Sequence, residues 1–143
     1  MKGVHVKMGY GLLRGNLLVL QVFFGWSFVT SALASEPIVA EAIKKTGLHV
    51  KGPARDSGTL TLPQPVRGNQ WGLTNHACKK AGYDLTPYAG QEVKSIHYAL
   101  RETYSGERLS LIILTKDHLC ICVYVVAREM IPGIIAVNDP RIK

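Results

Sequence analysis

The sequence has few cysteines and lacks the motifs that identify common enzyme classes. Its three cysteines are an odd and small set, from which no disulfide framework can be inferred. It contains no G-x-S-x-G nucleophile elbow, no phosphate-binding loop and no dinucleotide-binding fingerprint. The paired C-x-x-C spacing of zinc sites and the H-E-x-x-H motif of metalloproteases are also missing. No motif therefore implies a cofactor, and we expect none.

Positive charge is present but dispersed. Three of the 17 basic residues lie in the first 34 positions, which leaves 14 against ten acidic residues, or about four net positive charges, in the rest of the chain. The sequence has no run of Lys and Arg and no alternation of aromatic with basic residues, so we expect no nucleic-acid partner. A general attraction to anionic walls or membranes is compatible with this charge.

The N-terminal segment has the pattern of an export signal. Lys2, Lys7 and Arg14 precede an uncharged stretch at 15–35, and Ala32-Leu33-Ala34 is typical of a signal peptidase site. We predict cleavage after Ala34. The alternative is an uncleaved membrane anchor, because the uncharged stretch approaches the roughly 20 residues needed to cross a bilayer.

The remaining chain, residues 35–143, has the length of a single small domain. We expect it to be exported, either secreted or at the cell envelope, with membrane contact only through the N-terminal segment. No cysteine lies at the cleavage site, so a lipid anchor is not expected.

Two helices and a hairpin are predicted before the main sheet. The first helix starts at Pro37, carries Lys44 and Lys45 in its last turn and ends at Gly47. Short apolar runs at 48–51 and 58–62 flank a turn-rich segment, which predicts a β-hairpin. A second helix is predicted at 70–81 with Asn69 as N-cap; its inward stripe consists of Thr74, Ala77, Cys78 and Ala81.

Three consecutive strands supply the most apolar part of the chain. The segments 93–101, 109–115 and 119–126 are separated by turn residues, which predicts an antiparallel meander. We therefore expect an α+β fold, with two short helices packed on one face of a mostly antiparallel sheet. Beyond the meander, the apolar stretch 131–137 predicts either an edge strand or a loop packed over the sheet, and Pro132 favours an edge. The predicted core residues are Ile96, Tyr98, Leu100, Leu111, Ile113, Cys120, Cys122 and Tyr124.

The string Gly82-Tyr83-Asp84-Leu85-Thr86-Pro87-Tyr88-Ala89-Gly90, followed by Val93, is the most distinctive in the chain. Here the sequence resembles a bacterial family known as domain of unknown function 4830, over roughly residues 37–137. The resemblance implies an exported or membrane-tethered bacterial protein and supplies no catalytic residues.

Asp84 and Tyr88 are the residues of this string that a binding role would use. The structural alternative needs no ligand: Asp84 accepts a hydrogen bond from the N–H of Thr86, and Tyr88 places its ring against the sheet.

One combination of side chains has metal-binding chemistry. The two-residue period of a strand places His118, Cys120 and Cys122 on one face, where an imidazole and two thiols would suit a soft metal. No fourth ligand is evident, and free cysteines are often simply buried. We predict that all three cysteines stay unbridged, the alternative being a bond from Cys78 to Cys120 or Cys122.

Each residue that could perform chemistry thus has a structural explanation. We therefore expect a non-catalytic exported module that binds a protein or cell-envelope component. The exposed strand faces and the loop 127–133 offer surface for such a partner. The alternative is a small hydrolase or metal-binding protein that uses His118, Cys120 and Cys122.

Overall fold

The computed structural model describes residues 36–143, apart from the side chain of Asn69, so the predicted signal and its cleavage site lie outside the described residues. The elements in chain order are α1 (Pro37–Thr46), β1 (Asp56–Thr61), α2 (Asn69–Lys80), a 3-10 helix (Thr86–Tyr88), β2 (Glu92–Tyr104), β3 (Glu107–Lys116), β4 (Leu119–Ala127) and β5 (Ile134–Ile135).

The five strands form one antiparallel sheet in the order β1-β2-β3-β4-β5. This confirms the α+β class and the three-stranded meander. The two tight turns of the meander contain the positive-φ residues that reversals need, at Ser105-Gly106 and at Asp117-His118. The segment after the meander adds only the two-residue strand β5 at the edge of the sheet, in agreement with the edge position that Pro132 predicts.

The helix ends differ in how well the sequence predicts them. Gly47 follows α1 in the left-handed conformation (φ 71°) and its N–H donates to the carbonyl oxygen of Lys44 at 3.2 Å, as predicted. The second helix begins at Asn69, one residue earlier than predicted, and Gly68 is its N-cap. The prediction of Asn69 as N-cap is therefore wrong.

The predicted hairpin at 48–62 is also wrong. Val50 pairs with Leu100 in an isolated antiparallel bridge, whereas the N–H of Arg55 donates to the carbonyl oxygen of His97 at 2.8 Å. Both apolar runs therefore follow β2, one after the other, and do not pair with each other. Gly52 and Pro53 interrupt this edge strand, because Pro53 has no backbone N–H to donate, but they do not reverse the chain.

Each face of the sheet carries its own apolar cluster. The face that α1 covers, here called the α1 face, buries Val39, Ala42, Ile96, Tyr98, Leu100, Leu111, Ile113, Val123 and Val125. The opposite face, here called the α2 face, buries Leu62, Cys78, Leu85, Val93, Ile112, Leu114, Ile121 and Cys122. The helices therefore contribute to clusters on opposite faces, and the predicted common face is wrong. The side chains of β3 are apolar on both faces, so both faces of this strand must be covered. Clusters on both faces of the sheet provide that cover.

The predicted core is largely confirmed. Six of its eight residues are buried, and the two others, Cys120 and Tyr124, are half-buried. A register shift in β4 explains the exception at Cys120, because Leu114 pairs with Cys122 while Thr115 pairs with Cys120. The extra residue Ile121 is a β-bulge, which breaks the two-residue period at this point.

Candidate functional site

The residues predicted as metal ligands do not converge. His118 lies exposed in the β3–β4 turn, and Cys120 packs against the cluster on the α1 face. The bulge turns Cys122 to the α2 face, so the predicted common face of the three side chains is wrong. Within residues 36–143, no group of three His, Cys, Asp or Glu side chains is arranged to hold a metal.

Cys122 forms a disulfide with Cys78, with the two Cα atoms 5.2 Å apart. The prediction of three unbridged cysteines is therefore wrong, and its stated alternative, a bond from Cys78, is found. The physical reason is the position of α2, which lies on the face to which the bulge turns Cys122. This leaves the metal-binding alternative without its second thiolate.

Cys120 is the free thiol. Its Sγ lies 3.8 Å from the carbonyl oxygen of Cys122, and burial raises the pKa of the thiol above its ordinary value. A raised pKa lowers the thiolate fraction at neutral pH, so the thiol is a poor nucleophile and a poor metal ligand.

Asp84 and Tyr88 serve the turn that precedes β2. Asp84 Oδ1 accepts hydrogen bonds from the N–H of Thr86 at 2.9 Å and from its hydroxyl at 2.7 Å, the first of which the sequence predicts. These hydrogen bonds, with Lys79 at 3.6 Å, lower the pKa of Asp84 to about 2. Tyr88 is half-buried against the α2-face cluster. Both residues thus have local structural roles.

A cleft at one end of the sheet brings together side chains that the sequence does not relate. Its basic residues come from three separate segments: Lys51 and Arg55 before β1, Arg108 at the start of β3, and Arg128 directly after β4. The cleft has a volume of about 240 Å³. We call it the basic cleft; its other lining residues are Ala99, Leu100, Glu107, Leu109, Ser110 and Glu129.

The basic cleft lies beside an irregularity of the sheet. Pairing between β2 and β3 shifts between Ala99 and Thr103, so that residues 100–102 of β2 lie opposite Leu109 alone. Such bulges bend a strand and separate it locally from its neighbour, and they are common beside binding sites. Ala99 pairs with Ser110 on the last regular row before the shift. The cleft therefore opens where the regular pairing between β2 and β3 is interrupted.

The basic cleft keeps a net positive charge. All four basic side chains are exposed, and within residues 36–143 none of them takes part in an ion pair within 4.0 Å. Glu107 and Glu129 line the same cleft without contacting these cations at that distance, and they reduce its formal charge to about two positive units. Unpaired cations held close together repel one another, so an anion in the cleft would be stabilising.

A carboxylate fastens the edge strand to the bulge behind the cleft. Glu102 Oε1 accepts a hydrogen bond from the N–H of His49 at 2.9 Å and lies 2.7 Å from its Nδ1. Burial raises the pKa of Glu102, but the hydrogen bonds and charge of His49, together with a backbone hydrogen bond of Glu102 itself, outweigh it, so the net direction is downward. Its second oxygen, Oε2, is buried without a hydrogen-bond partner within the described part of the chain. The pair holds residue 49 against β2, two positions before Lys51.

Ser95 and His97 are in contact and have the side-chain types of a nucleophile and a base, but their surroundings do not suit catalysis. Ser95 Oγ lies 2.8 Å from His97 Nε2, a pairing made by the two-residue period of β2. Ser95 is only 5% exposed. Both residues sit in a strand that is paired on both sides, so their backbone N–H groups point into the ladders and not toward an oxyanion. The contact is a structural hydrogen bond.

An apolar groove lies beside the residues that follow Arg128 and Glu129 in the sequence. It has a volume of about 250 Å³ and is lined on one side by residues 130–136 and on the other by α2. Ile131 is fully exposed at its rim and Leu73 is 42% exposed. The loop 127–133 thus contributes Arg128 and Glu129 to the cleft and its apolar residues to this groove.

Comparison of the chain with family models, curated proteins and solved structures gives no match. Neither helix in residues 36–143 is long and apolar enough to span a bilayer.

Proposed function

We propose that the chain is an exported, non-catalytic binding module, and that the basic cleft recognises an anionic group of a cell-envelope component. The observation that carries this proposal is the convergence of Lys51, Arg55, Arg108 and Arg128 on one concave site without ion pairs to the protein. A protein that needed these residues only for solubility would have no reason to gather them from three segments.

The chemistry of the other candidate residues supports a binding role. Cys122 is bonded to Cys78 in a disulfide, Ser95 is buried, and Asp84 accepts hydrogen bonds within a turn. Each of these contacts explains the residue without a reaction. The basic leader and the Ala-x-Ala site at residues 32–34 support export, which would place the cleft where envelope polymers and membranes carry negative charge.

The loop 127–133 extends the proposed surface. It places charged residues in the basic cleft and the exposed Ile131 in the neighbouring apolar groove. A ligand anchored by its negative charge in the cleft could therefore bury apolar surface next to it. Interfaces commonly combine a few charged anchors with apolar contact in this way.

The test is co-sedimentation of the purified mature chain with an isolated envelope fraction. We compare the wild type with a variant in which Arg55, Arg108 and Arg128 are replaced by Ala. The matched control replaces Lys44, Lys45 and Arg67, three exposed basic residues outside both the cleft and the apolar groove. Both variants lose three charges, so they differ only in where the charge is removed.

We expect the cleft variant to bind roughly tenfold or more weakly, because each lost charge-assisted hydrogen bond costs on the order of 1.5–3 kcal/mol. The control should bind like the wild type, and wild-type binding should weaken as salt is raised. Equal loss in both variants would show that only net charge matters and would contradict the proposal. Export is tested separately by mass spectrometry, which should find a mature N-terminus at Ser35.

A further inference from the structure

The donors of the basic cleft match one class of anion better than others. Three of its four cations are arginines, and each guanidinium offers up to five N–H donors in a planar fork. Ser110, a half-buried residue of the cleft lining, adds a hydroxyl that makes no hydrogen bond within the described residues. A carboxylate has two oxygens to meet these donors, whereas a phosphoryl group has three terminal oxygens that all accept strongly.

From this count we propose that the basic cleft binds a phosphoryl group, an inference that rests on the proposed binding function and gives its ligand a chemical class. Bidentate contact between an arginine fork and two phosphate oxygens is the geometry that favours Arg over Lys at such sites. Arg55, Arg108 and Arg128 approach the cleft from different segments of the chain, so they can contact different oxygens of one tetrahedral group.

The size and walls of the cleft limit the rest of the ligand. Its volume of about 240 Å³ lies below the roughly 300–1,000 Å³ of pockets that enclose a whole small molecule. The cleft therefore holds the phosphoryl group and the first part of the carbon skeleton that bears it.

Glu107 and Glu129 distinguish this site from a general polyanion groove. Both carboxylates line the cleft and repel a ligand with closely spaced negative charges. As pure acceptors they can take hydrogen bonds from hydroxyl groups next to the phosphate. The combination fits an isolated phosphate ester on a hydroxylated skeleton, either in the headgroup of a lipid or in a soluble or polymeric ester.

The probe is inorganic phosphate, with acetate as the carboxylate comparison, each titrated into the mature chain at about pH 7.5 and constant ionic strength while amide chemical shifts are recorded. We expect saturable shifts at Ala99 and Ser110 with phosphate, with a dissociation constant on the order of millimolar, and roughly tenfold weaker binding of acetate. The triple alanine variant of Arg55, Arg108 and Arg128 should lose the phosphate response. The control variant of Lys44, Lys45 and Arg67 should keep it.

If the triple variant does not fold, a single substitution tests the same assignment. Arg108→Lys retains the charge but removes the fork, so phosphate affinity should fall severalfold while acetate affinity changes little. Equal affinities for phosphate and acetate in the wild type, or a phosphate response that survives loss of the three arginines, would overturn the phosphoryl assignment.

Two further probes identify the source of the phosphate. Vesicles of phosphatidylcholine with phosphatidic acid present the ester in a lipid, and glycerol 1-phosphate presents it in solution. Binding of the vesicles beyond pure phosphatidylcholine, dependent on the three arginines, supports the lipid source; binding of the soluble ester alone supports the other. If phosphate fails while the envelope fraction still requires the cleft, the phosphoryl assignment is wrong and the binding function stands. If phosphate binds and the envelope fraction does not, the proposed binding of an envelope component is wrong and the phosphoryl assignment stands.

Discussion

Cys78 in α2 and Cys122 in β4 are bonded through their sulfurs, with 5.2 Å between their Cα atoms and a sequence separation of 44. The bond ties α2 to the α2 face and encloses β2 and β3 in its loop. Both sulfur atoms are fully buried, so the link lies within the apolar cluster. An oxidising compartment is where such a bond is stable, in keeping with the proposed export.

Replacing Cys78 by Ser should lower the free energy of unfolding by about 2–4 kcal/mol, because the denatured chain regains the freedom of a long loop. Chemical denaturation measures the loss. Cys120→Ser is the matched control and should change stability little, since the Cys120 thiol is unbridged and half-buried. Thiol titration of the denatured, unreduced wild type should find one free thiol; three would show that the bond is absent.

Leu111 lies at the centre of the α1 face and is 0% exposed. Leu111→Ala should cost about 2–5 kcal/mol, because the substitution removes apolar contact and leaves a cavity. Leu119 begins β4 and is 57% exposed, so Leu119→Ala should lie within about 0.5 kcal/mol of the wild type. Urea denaturation of both variants tests the register of the meander, and comparable losses in the two would contradict it.

The meander could be predicted from the sequence because it is determined by patterns among residues that are close together in the chain. Alternation and turn residues fix the pairing of β2, β3 and β4. All five predicted core residues of β2 and β3 are buried, and selecting them needs no long-range knowledge beyond that pairing. The bulge at Ile121 could not be predicted in this way, because no residue type marks it. That single extra residue moved Cys122 to the other face and allowed the bond to Cys78.

The basic cleft was missed for a related reason. Lys51 and Arg128 are far apart in the sequence, and the interrupted pairing of residues 49–61 with β2 brings the first of them to the cleft. Short apolar runs flanking a turn predict a local hairpin instead, and such a hairpin would keep Lys51 away from the cleft. Charge that looks dispersed along a chain can be concentrated by such long-range pairing.

Asp84 makes stability depend on pH in the acid range. Its pKa in the folded protein is about 2, below the ordinary value of about 3.9, so its carboxylate stabilises the fold above about pH 4 and this contribution is lost as pH falls toward 2. Asp84→Asn keeps an acceptor for Thr86 but cannot ionise. The difference in unfolding free energy between wild type and variant should therefore shrink between about pH 4 and pH 2.

Urea denaturation at several pH values measures this difference. Asp139, whose pKa is also lowered to about 2 by its hydrogen bonds with Arg141, contributes equally to both proteins and cancels in the comparison. A difference that stays constant from neutral to acid pH would show that the charge of Asp84 does not contribute to stability.

Glu102 should control the basic cleft without lining it. Its Oε1 accepts the N–H of His49 and lies 2.7 Å from Nδ1 of the same residue, which fixes the segment that carries Lys51 against the β2 bulge. Glu102→Ala removes this attachment. We expect a loss of about 1 kcal/mol in unfolding free energy, because the freed groups of the exposed His49 can turn to water. Phosphate affinity should fall severalfold, because Lys51 loses its fixed position.

Two comparisons separate this effect from a general loss of negative charge. Glu102→Gln keeps a carbonyl acceptor for the N–H of His49 and should retain most of the phosphate affinity at neutral pH. Glu92→Ala removes an exposed carboxylate from the other end of β2 and should leave affinity unchanged. The amide-shift titration with phosphate gives all three values. If Glu102→Ala binds phosphate like the wild type, the attachment of His49 to the bulge does not shape the cleft; if Glu92→Ala weakens binding equally, the effect of Glu102 is one of charge alone.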